Sequence, residues 1–211
     1  IFYMSKQEII QGDCLEEMKT FPDKSFDLVL TDPPYGIGAD KGVGGFGSSS
    51  TDVHYTDDWD SRIPPAEVFD EIMRVSKKAI IFGGQFFTLS LNGHWIVWDK
   101  KGNIDFDNPF GDCELAWTNI NRKSVKKYTV IQQGFVSEER TRWHPTQKPV
   151  SLFGQILKDY SEETDRILDP FMGSGTTLVA AKHLNRNAVG IEISEKYCEV
   201  ARQRLRQEIL L

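Results

Sequence analysis

The chain has 211 residues, with 25 Lys and Arg against 31 Asp and Glu and a formal net charge of -6. That acidic balance excludes a protein that coats nucleic acid by bulk electrostatics, while leaving room for a local basic face. No apolar run approaches membrane-spanning length; Cys14, Cys113 and Cys198 are odd in number and far apart with no C-x-x-C, and the histidines lack metal spacing, so the expectation is no membrane, no metal and free thiols in a cytoplasmic setting. The length suits a single domain, taken as residues 4–211, with Ile1-Phe2-Tyr3 read as lying outside the fold.

Glu8 to Gln11 reads as a short strand, Gly12-Asp13 as a turn, and Asp13 as the cap of a helix over Leu15 to Phe21. Phe26 to Thr31 is the next strand and runs straight into Asp32-Pro33-Pro34-Tyr35. Two consecutive prolines fix φ and remove two backbone donors, so a carboxylate, two carbonyls and an aromatic ring are held stiffly at a strand's carboxyl end. Open α/β sheets place their ligands at such ends. The residues alone leave open a plain proline turn capped by Asp.

Residues 36–59 are rich in Gly and Ser and read as a mobile loop, either closing over a ligand or a tolerated insertion. Pro64-Pro65 opens a helix whose stripe is Val68, Phe69, Ile72, Met73 and Val75. Ala79 to Phe82, Trp95 to Trp98 and Leu115 to Thr118 read as strands, and residues 119–143 as a basic, weakly periodic segment of strand ends and loops. His144-Pro145 interrupts; beyond Pro149 a helix carries Leu152, Phe153, Ile156, Leu157 and Tyr160. Then come a strand at Ile167 to Asp169, a helix from Thr176 to Leu184, a strand at Ala188 to Ile191 and a charged amphipathic helix from Glu195. Strands alternating with helices predict a mostly parallel sheet covered on both faces.

Between the last two strands, Asp169-Pro170-Phe171-Met172-Gly173-Ser174-Gly175-Thr176 joins a strand to a helix, where glycines let a backbone approach a ligand at a helix N-terminus. No Lys follows the last Gly, which argues against a phosphate-cradling loop, and Leu178 stands where a dinucleotide fingerprint has its third glycine. A plain tight turn stays open. The following strand ends at Glu192, however, about where such folds place an acid for ribose hydroxyls, so an adenosine-type ligand without a bound phosphate is expected.

Taken together, Asp32-Pro33-Pro34-Tyr35 and Asp169-Pro170-Phe171-Met172-Gly173-Ser174-Gly175 resemble the motif pair of S-adenosylmethionine-dependent DNA amino-methyltransferases. The order, catalytic motif first and cofactor loop late, is similar to the beta group of that family. Gly12-Asp13-Cys14-Leu15, His144-Pro145-Thr146-Gln147-Lys148-Pro149 and Gly190-Ile191-Glu192 extend the match over nearly the whole chain. The resemblance implies a Rossmann-like, mostly parallel seven-stranded sheet in circularly permuted motif order. It also implies S-adenosylmethionine as cofactor, double-stranded DNA as partner, and a prokaryotic or phage-encoded enzyme.

On that resemblance, Asp32 and the Pro33 carbonyl would accept the amino hydrogens of a flipped-out base, with Pro34 holding the corner and Tyr35 stacking on the base. Glu192 would take the ribose hydroxyls, and Asp13 with Cys14 the adenine end. Asp169, Phe171, Gly173, Ser174, Gly175 and Thr176 would wrap the methionine part, with Thr146, Gln147 and Lys148 reaching its carboxylate. Arg122, Lys123 and Arg140 are candidates for DNA contact in a reduced recognition segment, so a homodimer or a partner specificity chain is expected to help. Asp at the first motif position favours adenine N6. The alternatives are cytosine N4, an RNA base or protein glutamine amide, and a non-catalytic DNA-binding relative.

Overall fold

The computed structural model describes residues 5–37, 60, 62–90, 92–103, 111–121, 124–133, 136–137, 143 and 147–207. The chain opens with β1 (Gln7–Gln11) and α1 (Cys14–Lys19), the latter capped by Asp13, whose Oδ1 accepts from the backbone N–H groups of Leu15 and Glu16. Next come β2 (Phe26–Thr31), α2 (Ala66–Val75) starting behind Pro65, and β3 (Ser76–Phe82). A 3-10 turn at Gly84–Phe86 leads to β4 (His94–Asp99), β5 (Cys113–Thr118) and β6 (Lys126–Thr129). A two-residue pair, β7 (Gln132–Gln133) and β8 (Val136–Ser137), precedes α3 (Val150–Tyr160), β9 (Arg166–Asp169), α4 (Thr176–His183), β10 (Asn187–Glu192) and α5 (Glu195–Arg206).

The main sheet has the order β1-β10-β9-β2-β3-β5-β4-β6, and among the described residues only β5 runs against the rest. It has eight strands where seven were expected. The additional one is β6, which lies within the basic segment and pairs in parallel with β4 on the sheet edge. Its Lys-Lys-Tyr-Thr sequence offers one apolar side chain, Tyr128, which is buried and donates through its hydroxyl to Asp159 Oδ2 at 2.6 Å. An edge strand needs only one such residue on its covered face, and the two lysines keep the open edge from pairing further, so hydrophobic periodicity does not reveal it.

Strand alternation sorts the core into two layers. Leu28, Leu30, Ile80 and Phe82 face α3, α4 and α5 through Leu152, Phe153, Ile156, Leu178 and Ala201. Their neighbours Val29, Ala79 and Ile81 face α1 and α2 through Met18, Val68, Phe69 and Ile72. The middles of the central strands are therefore apolar at consecutive positions, Leu28 to Leu30 in β2 and Ala79 to Phe82 in β3, as a sheet covered on both faces requires.

From β2 the chain moves through α2 to β3 on one side, and from β9 through α4 to β10 on the other. The order reverses between β2 and β9, which pair in parallel with Leu28 opposite Ile167 and Val29 opposite Leu168. A crevice opens at the carboxyl ends of two strands that diverge in this way. The Asp32 corner and the Asp169 loop both leave the sheet there. Since Leu30 is fully buried one turn of the pleat before that corner, Leu30→Ala is expected to lower unfolding free energy by about 2–5 kcal/mol in a denaturant titration.

Candidate active site

Asp32 follows the last residue of β2, and Pro33 and Pro34 supply no backbone N–H for the next two positions. The N–H groups of Tyr35 and Gly36 both donate to Asp60 Oδ1, at 2.7 and 2.9 Å, and Asp60 is buried. The corner is thus stiffened by proline and pinned by a carboxylate from beyond the loop. Tyr35 turns its hydroxyl back to donate to Asp32 Oδ1 at 2.5 Å. Its ring stacks on Phe86, with centroids 5.0 Å apart, and lies flat against Gly83, where a Cβ would fall 2.1 Å from the ring. Burial, and then the neighbouring Asp32 charge, push the Tyr35 phenol well above its ordinary range, so it stays a donor.

Lys148 Nζ meets the other oxygen of Asp32, Oδ2, at 2.5 Å, and Glu114 Oε2 at 3.2 Å from β5. Burial works to discharge this lysine, but the two carboxylates outweigh it and raise its pKa well above the usual value. Burial likewise works to neutralise Glu114, and Lys148 together with Lys100 hold it below the usual carboxylate range. Lys148 lines the central cavity, and its ammonium is turned to the corner beside Asp32.

Across the switch point, Asp169 is buried and fully engaged. Its Oδ1 accepts from Thr31 Oγ1 at 2.8 Å and from the Phe171 N–H at 3.1 Å, and its Oδ2 is bonded to Thr177 Oγ1. Burial pushes its carboxyl up to about 7 against those hydrogen bonds. The loop then turns through Gly173 and Gly175, at φ 51° and 83°, conformations that favour glycine. A Cβ at Gly173 would meet nothing within 4 Å, whereas one at Gly175 would lie 2.8 Å from Ala201 Cβ on α5. Arg204, also on α5, donates to the Ser174 carbonyl at 2.8 Å and hydroxyl at 2.9 Å and to Thr176 Oγ1 at 3.3 Å, so a buried guanidinium fixes the loop from behind.

Glu192 ends β10 and accepts from the Gly173 N–H at 3.0 Å through Oε2 and from the Ser194 N–H at 2.8 Å through Oε1. Burial raises its carboxyl despite these bonds. Burial pushes the Cys14 thiol up to about 12, which leaves it neutral and unreactive.

One cavity of about 570 Å³ joins the two halves of the site. Asp32 and Pro34 reach it from the corner, and Asp13, Cys14, Gln147, Lys148, Asp169, Phe171, Gly173, Ser174, Thr176 and Glu192 from the other side. Pro33, Tyr35 and Gly175 stand behind that wall and do not line it. Thr146, Arg122, Lys123 and Arg140 lie outside the described residues, as do positions 38–59 of the glycine-rich loop. Sequence reasoning missed Asp60, Gly83, Phe86 and Glu114 at the corner, and Phe153, Ile193 and Tyr197 in the cavity wall. The Gly83-Gly84 pair after β3 was the one available signal among these. Among the described residues no cluster of His, Cys, Asp or Glu is arranged to hold a metal, and no helix is long and apolar enough to cross a membrane.

Two outcomes follow from this geometry. Gly83→Ala forces a left-handed residue at a cost of about 1–2 kcal/mol and drives a methyl into the Tyr35 ring, so thermal melting should fall and the Tyr35 fluorescence environment should change together. Asp169 keeps its proton up to about 7 in the folded chain and releases it near 3.8 when unfolded. Its contribution to stability is therefore present below the lower value and lost as pH rises through the upper one. Asp169→Asn should gain melting temperature relative to the parent protein between about pH 5 and about pH 8; a pH-independent gap would show that the site holds no such proton.

A family model described as DNA methylase, covering N6 and N4 methyltransferases, matches residues 97–203. The type II methyltransferase M.HinfI of Haemophilus influenzae is 30% identical over 246 residues, spanning 94% of this chain and 68% of that protein. The putative methylase YubD of Escherichia coli (strain K12) is 29% identical, spanning 93% of this chain and 88% of its own length. Among solved structures, the M1.HpyAVI complex with SAM aligns at a TM-score of 0.61 and 22% identity, covering 95% of this chain and all of that one. PvuII DNA methyltransferase, described as cytosine-N4-specific, aligns at a TM-score of 0.65 and 15% identity, covering 99% and 89%; at these identities the likeness speaks to the fold. The family match takes in Glu114, Lys148, the Asp169 loop and Glu192, and the M.HinfI match extends along nearly the whole chain: this protein belongs to the N6/N4 DNA methyltransferase family.

Proposed function

We propose that this DNA methyltransferase transfers a methyl group from S-adenosylmethionine to the N6 amino group of an adenine flipped out of double-stranded DNA. The observation that carries the reading is the single cavity shared by the Asp32 corner and the Asp169 loop on adjacent parallel strands. The cavity suits an adenosine-bearing ligand. Phe171, Ile191 and Tyr197 offer apolar surface, the Glu192 carboxylate faces in between the Gly173 and Ser194 amides, and nothing occupies the space where a Gly173 side chain would stand. When bound, the cofactor supplies an electrophilic methyl carbon on a sulfonium. Glu192 accepts from the ribose hydroxyls, Asp13 and Cys14 border the adenine, and the α4 N-terminus with Thr146 and Gln147 receives the methionine carboxylate.

An exocyclic amino nitrogen is a poor nucleophile because its lone pair is delocalised into the ring. Asp32 and the Pro33 carbonyl accept its two hydrogens, drawing the nitrogen toward tetrahedral geometry and aiming the lone pair at the methyl carbon. With the cofactor bound, the N–C bond would form as the C–S bond broke, the electron pair of that bond staying on sulfur, and the nitrogen would then release one proton to water. Tyr35 braces Asp32 through its hydroxyl, its ring held between Phe86 and Gly83. Residues 119–143, with Arg122, Lys123 and Arg140, are the proposed reading segment within a single methyltransferase domain, completed by a second copy or a partner chain.

Incubation of the protein with labelled S-adenosylmethionine and unmethylated bacterial DNA should leave label in N6-methyladenine; label in N4-methylcytosine alone would sink the adenine assignment. Asp32→Ala should reduce turnover by roughly 10²–10³, while calorimetric cofactor binding stays close to that of the parent protein. An unchanged rate would remove Asp32 from the chemistry.

A further inference from the structure

We propose that Glu114 is a positioning residue for methyl transfer: it shares the Lys148 ammonium with Asp32, so that Asp32 stays available to the target amino group. The inference rests on the reading of the Asp32 corner given above.

Asp32 has two oxygens, and in the absence of a base both are taken, one by the Tyr35 hydroxyl and the other by Lys148. A target amino group must therefore share Oδ2 with an ammonium or displace it. Positive charge also develops on the attacked nitrogen, and an unbalanced cation held against the accepting carboxylate opposes it. Glu114 stands on the far side of that cation. It projects from β5, the one reversed strand of the described sheet, and its buried Oε2 forms an ion pair with Lys148 Nζ at 3.2 Å. Its other oxygen, Oε1, meets Lys100 Nζ at 3.1 Å.

Two carboxylates and two ammoniums make the cluster neutral. Removing Glu114 leaves a net positive charge beside the amino group and commits Lys148 to Asp32 alone. Among the described residues, the remaining groups that face Lys148 are the Tyr35 hydroxyl at 3.5 Å and the rings of Tyr35 and Phe82, each 5.6 Å from Nζ. None of these carries a negative charge that could replace the lost one. A buried carboxylate stays charged in a core where an opposite charge meets it, and Lys148 supplies that charge at 3.2 Å.

The test compares the parent protein, Glu114→Gln and Glu114→Asp, each full length, with labelled S-adenosylmethionine and unmethylated bacterial DNA at saturation. Glu114→Gln should lower kcat at least tenfold while cofactor Kd by calorimetry and thermal melting stay near parent values, and Glu114→Asp should recover part of the rate. The second readout needs no turnover. In ligand-free, ¹³C-lysine-labelled protein, with the Lys148 signal assigned through Lys148→Arg, Glu114→Gln should lower the titration midpoint of Lys148. Equal kcat in parent and Glu114→Gln, a kcat loss matched by losses of cofactor affinity and melting temperature, or an unmoved Lys148 midpoint would each overturn the proposal. If the parent protein itself transfers no label to DNA, the reading of the corner fails instead, and the Lys148 titration still decides whether Glu114 holds this cation.

Discussion

Thr31 Oγ1 donates to Asp169 Oδ1 at 2.8 Å where β2 and β9 leave the sheet, and everything chemical in this protein is arranged on either side of that bond. Both side chains are buried, so the bond is made in a setting where an unpaired polar group would be costly. It ties the last residue of one strand to the last residue of its neighbour, and hence the Asp32 corner to the glycine loop. A methyl donor on one side and an acceptor on the other have to meet within a bond length or two. Adjacent parallel strands diverging at a switch point provide that proximity with no moving part.

Each half is then made rigid by a different means. The corner relies on two prolines and on Asp60, which receives the first two N–H groups the prolines leave behind. The loop relies on Arg204, which binds it from below through the Ser174 carbonyl and two hydroxyls. Charge is balanced within the corner as well. A buried ammonium beside a buried carboxylate rarely adds net stability, because both lose their hydration. The Asp32, Lys148 and Glu114 arrangement is better understood as geometry that orients an acceptor than as a source of folding energy.

Much of this was legible in residue order. Phe26 to Thr31 is a largely apolar strand that runs into Asp32 and a proline pair, and no neighbouring segment could change that reading. Asp13 announces α1 through capping chemistry that involves only its own neighbours. The glycine loop between β9 and α4 is equally local. Tyr128, by contrast, is a lone apolar residue among lysines, and β6 exists because β4 offers an open edge beside it. Trp98 and Trp117 are core residues, as their size suggests. Phe86 is no less aromatic, and it forms the platform under Tyr35.

The sequence by itself determined the alternation of the helices with the seven strands of the main sheet other than edge strand β6, the two motifs and the family they resemble, because capping, proline stiffness and hydrophobic period are properties of consecutive residues. Tertiary structure alone decided that β2 lies beside β9, that Lys148 turns to Asp32, and that Glu114 and Asp60 complete the corner. These partners lie far from it along the chain, and each is a charged residue of a kind that is ordinarily solvated. Only folding, by burying such a group against a specific opposite charge or amide, turns it into part of a site.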